Sequence, residues 1–70
     1  SLRSFLNEKW SEFNPENQLQ SIIIHLLHTG VEVSITVSDD VKDEQMMEFK
    51  NSILKDSRID IITFNRQVNV

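Results

Sequence analysis

The chain predicts an α+β fold: a small two-layer domain of order ααβαβ, with a parallel βαβ unit and its helices on one face. Three observations carry that expectation. "VEVSITV" (31–37) alternates apolar and polar residues, the period of a half-buried strand. "SLRSFLNEKWSEF" and "DEQMMEFKNSIL" place their apolar residues at helical spacing. About twenty residues containing the second of these helices separate two strand-like stretches, the length of a right-handed crossover between parallel strands.

The first helix presents Leu2, Phe5, Leu6, Trp10 and Phe13 as one stripe, with Arg3, Glu8, Lys9 and Glu12 largely off it. Asn14-Pro15 follows, a favourable N-cap and first-turn pair, so a second helix is expected from Pro15 to about Thr29, with Gly30 as its left-handed cap. On such a helix Leu19, Ile22, Ile23, Leu26 and Leu27 share an arc of roughly 140° and belong to the expected core. His25 and His28 then fall on the opposite side with Gln18 and Ser21. Two such histidines are neighbours, but a metal site needs a third and usually a fourth ligand, and nothing nearby in sequence offers them. The reading is solvent-facing histidines, with a pH-sensitive contact as the other possibility.

In "VEVSITV", Val31, Val33, Ile35 and Val37 form the buried face and Glu32, Ser34 and Thr36 the wet one. The acidic "SDDVKDEQ" opens a third helix between Asp40 and Asp43, where carboxylates suit the partly positive helix start. A calcium loop would need a glycine in the sharp turn, and there is none. Met46, Phe49 and Ile53 should face inward on this helix, with Met47 and Leu54 beside them. In the closing segment "RIDIITFNRQVNV" the apolar parity switches between Ile61 and Ile62. A bulge, coverage on both faces, or a partner would each account for the switch. A two-stranded parallel sheet is thin. Residues 68–70, a second copy of the chain, or a partner's strand should complete it.

Seventy residues make one domain, 1–70, and a start at Ser1 is expected of a fragment of a longer chain. Without cysteine there is no disulfide framework and no thiolate metal site. The net charge of −4, without a Lys/Arg cluster on any element, argues against direct nucleic-acid binding and against anionic membranes. A cytoplasmic location is the expectation. No phosphate-cradling glycine loop, nucleophile constellation or confined carboxylate pair appears, so the segment is read as non-enzymatic, with no cofactor and no metal. The partner-binding candidates are Ile62, Phe64, Val68 and Val70, on a sheet edge open to a protein partner or to self-association.

From Val31 to about Phe64 the pattern resembles the extreme C-terminal region of the gamma/tau subunit of bacterial DNA polymerase III clamp loaders. The likeness rests on a Trp-containing helix, then "VEVSITV", the acidic helix "DEQMMEFKNSIL" and "DSRIDIITF" as closing strand. The crossover helix is shorter than that family's. The resemblance implies a small accessory domain of a replication ATPase, tethering the replicative polymerase without chemistry of its own. The ATP-binding part would lie upstream. Two other classes stand beside it: a βαβ module that builds homo-oligomers, and a small regulatory domain that binds a ligand between helix and sheet.

Overall fold

The computed structural model describes residues 1–16 and 18–67. Helix α1 spans Leu2–Phe13, strand β1 Leu19–Leu27, strand β2 Gly30–Ser38, helix α2 Asp43–Ile53 and strand β3 Ile61–Gln67. The fold is therefore mixed α+β, two helices on a three-stranded sheet ordered β1-β2-β3. The order ααβαβ does not hold; it is αββαβ, because the expected second helix is β1. It pairs antiparallel with β2, while β2 and β3 run parallel with α2 between them.

The reason lies in the run "SIIIHLL". Three consecutive β-branched isoleucines favour a strand, and an apolar run of this length fits a helical stripe or a buried strand equally well. The alternating stretch that follows offers a ladder, and the two close into a hairpin with His28 and Thr29 at its tip and Leu27 opposite Gly30. Gly30 is thus a hairpin residue with φ 142, not a helix cap. A Cβ there would come within 2.2 Å of Asp60 Oδ2, the same oxygen that accepts from Val31 N–H at 2.7 Å. Only glycine lets the loop before β3 approach the hairpin this closely.

Asn14, expected to start the second helix, instead ends α1: its N–H donates to the Trp10 carbonyl at 2.9 Å, and the residue is buried. At the other end of α1 the Ser1 hydroxyl accepts from Ser4 N–H at 3.2 Å. Helix α2 opens with Asp43 and Glu44 in its first turn, and the Gln45 side chain accepts from Lys42 N–H at 3.0 Å. Before it, the Ser38 hydroxyl donates to Asp40 and holds that carboxyl below its usual range.

The core lies between the helices and one sheet face. Leu6, Trp10, Val33, Ile35, Val37, Phe49 and Ile53 have no exposed surface. The aromatic rings chain the layers together: Trp10 meets Phe49 edge-on at 5.1 Å, and Phe49 meets Phe64 at 6.1 Å. Three expected core members, Ile23, Leu26 and Leu27, are not in it. In a strand, neighbours point to opposite faces, so Ile22 is buried while Ile23 is 46% exposed, and Leu26 runs past the helices at 83% exposed. Met47 on α2 and Leu54 just after it are likewise exposed.

Candidate functional site

The parity switch at Ile61/Ile62 follows from where β3 begins. Ile59 precedes the strand and packs half-buried on the core, in a connection pinned by Asp60 N–H to the Val31 carbonyl at 2.9 Å. Within β3, Ile62, Phe64 and Arg66 point to the helix layer, while Ile61, Thr63, Asn65 and Gln67 face the open side. The candidates Ile62 and Phe64 thus sit together, half-buried, against the core. Val68 and Val70 lie outside the described residues.

Backbone directions follow from the ladder. Both the N–H and the C=O of Val31 reach Asp60, so Val31 and the alternate residues Val33, Ile35 and Val37 face β3. With Val33 opposite Ile62 and Ile35 opposite Phe64, the bonds run to Ile61, Thr63, Asn65 and Gln67. The backbone groups of Ile62, Phe64 and Arg66 therefore aim off the sheet. Beside this edge an apolar groove of about 290 Å³ is lined by Met46, Met47, Phe64, Asp43 and the Lys50 stem. Arg66 fixes one end of it, donating to the Asp39 carbonyl at 3.1 Å, to the Val41 carbonyl and to the Asp43 carboxylate.

Among the described residues, no helix covers the far side of the sheet. Ile23, Leu27 and Ile61 stand exposed there among Glu32, Ser34, Thr36, Thr63 and Asn65. His25 lies on this face, its Nδ1 3.1 Å from Glu32 Oε1 on the neighbouring strand, and His28 is exposed at the hairpin tip. The two histidines are strand and turn residues, not helix-face residues. Among the described residues, no three His, Cys, Asp or Glu side chains gather as a metal-holding group. No helix among them is long and apolar enough to cross a membrane, which leaves strands unaddressed.

Sequence reasoning missed the edge of β1 and the exposed apolar residues of the open face. Two signals pointed there. The run 22–27 is apolar on both parities, and residues 17–31 contain no Asp, Glu, Lys or Arg. A scan against protein-family models and searches of curated proteins and of solved structures found no match to the chain.

Proposed function

We propose that the chain is a non-enzymatic protein–protein interaction domain working through the free edge of β3. One observation carries the reading: Ile62, Phe64 and Arg66 present backbone N–H and C=O groups with no strand beyond them among the described residues, next to the Met46–Met47–Phe64 groove. An incoming strand would gain ladder hydrogen bonds from the edge and side-chain pockets from the groove. Methionine suits such a surface because its flexible thioether adapts to the shape laid on it.

The stretches that carry the clamp-loader resemblance fall on α1, β2, α2 and β3, the last three of which build this edge. On that resemblance the partner is the replicative DNA polymerase, the parent chain a gamma/tau-type subunit, and the location cytoplasmic. The test is polymerase binding to an immobilised chain, read across a proline scan of residues 64–69 and for Met47→Lys. Proline at the outward-aimed positions 64 and 66 weakens binding while helical circular dichroism persists; at 65 and 67 it breaks the ladder to β2 and lowers stability. Undiminished binding in Met47→Lys and at positions 64 and 66, or a parent gene without a P-loop upstream, sinks the reading.

A further inference from the structure

We propose that the opposite edge, β1, is where a second copy of the chain adds antiparallel, joining two three-stranded sheets into one continuous sheet. This names one partner of the interaction domain argued above and uses a different strand, so the two stand or fall separately.

The backbone of β1 is as legible as that of β3. Gln18 C=O accepts from Ser38 N–H at 2.9 Å, and Val31 faces away toward Asp60, so the even-numbered residues of β2 face β1. Ile22, Ile24 and Leu26, opposite Ile35, Val33 and Val31, therefore aim their N–H and C=O groups off the sheet. One of these groups is already engaged: Arg3 Nη1 reaches from α1 to the Ile22 carbonyl at 2.8 Å. Those of Ile24 and Leu26 have no partner among the described residues.

Edges normally carry a device against strand addition, such as a lysine, a proline or a bulge. From Ile23 to Leu27 this edge has none; the Arg3 guanidinium on the Ile22 carbonyl and the irregularity between Leu19 and Ser21 lie at the far end. Charge permits a second copy as the occupant, and the antiparallel register supplies its contacts. The chain is −4 overall and repels itself, yet residues 18–31 carry no formal charge of their own, so two copies can approach along β1 with the Arg3 guanidinium at Ile22 the charge at its margin. The strand is also its own complement. A two-fold antiparallel register places Ile24 of each copy opposite Leu26 of the other. Both pairs then exchange backbone hydrogen bonds, and the Arg3–Ile22 contact is left undisturbed. That register lays Leu26, 83% exposed, against Ile24 of the neighbour on the helix side of the sheet.

Sedimentation of the chain from micromolar to millimolar concentration tests this. The expected result is a reversible monomer–dimer equilibrium whose Kd rises at least about tenfold in Leu26→Lys, in line with a loss of one decade of affinity. Ile24→Pro should do the same, because its lost N–H faces away from β2. The melting temperature of dilute Leu26→Lys should match that of the dilute parent chain, and Leu26 is exposed enough to decide the matter even where Ile24→Pro folds poorly. On association, amide exchange should slow at Ile24 and Leu26 and not at Ile62 and Phe64. A chain that remains monomeric at millimolar concentration, or a Leu26→Lys variant that dimerises as before, overturns the proposal. Slowing at Ile62 and Phe64 instead would move self-association to β3 and also overturn it.

Discussion

Strands β1 and β2 are neighbours of equal length, β1 the more apolar of the two, and they behave oppositely. Strand β2 has a strand on each side and helices over one face, and its Val33, Ile35 and Val37 are wholly buried. Among the described residues strand β1 has a strand on one side only, and of its apolar residues only Ile22 is buried. The strict alternation of β2 assigns each side chain to a face before folding. The run "SIIIHLL" makes no such assignment, so its conformation and its faces are set by the neighbour it pairs with. A residue's hydrophobicity predicts burial only where the pattern also says which way it points.

The largest effects should fall where β2 and the helices meet. Phe49→Ala removes the ring that links Trp10 to Phe64 and should destabilise by about 3–5 kcal/mol, and Ile35→Ala by about 2–5 kcal/mol. Denaturant midpoints measure both. A small shift at Ile35 would mean that the central strand is no better packed than its neighbour, and the contrast would fail.

Next is the hinge between the two strands. Gly30→Ala forces a Cβ into a positive-φ site and against the Asp60 carboxylate, with a loss of about 1–3 kcal/mol. Asp60→Ala, which clears the space but forfeits the bond to Val31, should soften the effect of Gly30→Ala when the two are combined. Additive losses in that double-mutant cycle would place the strain in the backbone alone.

Smaller still is the effect on β1's open face. His25→Gln with His28→Gln should stay within about 0.5 kcal/mol of the parent chain near neutral pH, since both side chains are exposed. Stoichiometric zinc binding that this variant abolishes would contradict the assignment. The smallest effect is a titration remote from both strands. Arg58 donates to Asp56 at 2.9 and 2.7 Å and holds its carboxyl down at about 2. A depressed folded value stabilises above the ordinary carboxylate range, and that contribution fades as pH falls toward about 2. In Arg58→Gln the Asp56 carboxyl should return upward by NMR titration, with a small loss of stability at neutral pH that vanishes in acid.

Much of this was legible before folding. The stripe Leu2–Phe13, the alternation of 31–37 and the acidic start of α2 each agree with their local pattern, and each element formed where that pattern placed it. The candidates Ile62 and Phe64 were legible as apolar residues of a closing strand, although their inward side chains and outward backbone groups were not. Hidden from the sequence were the strand state of residues 19–27, the role of Asn14 as the end of α1, and the β1 edge itself.

Composition, charge and period are properties of adjacent residues, and they determined that this chain is a small mixed domain with an alternating strand at 31–37 and amphipathic helices at 2–13 and after the acidic turn; the same period also placed a third helix over 15–29, which the structure replaces with β1. Pairing is a property of residues far apart. Ile22, Ile23 and Ile24 fit a helix or a strand until "VEVSITV" closes a ladder against them, and only then does one isoleucine turn inward while the next faces water. Which strands form the edges among the described residues, β1 with Ile24 and Leu26 and β3 with Ile62 and Phe64, was likewise decided by the tertiary structure, because an edge exists only once the strands have an order.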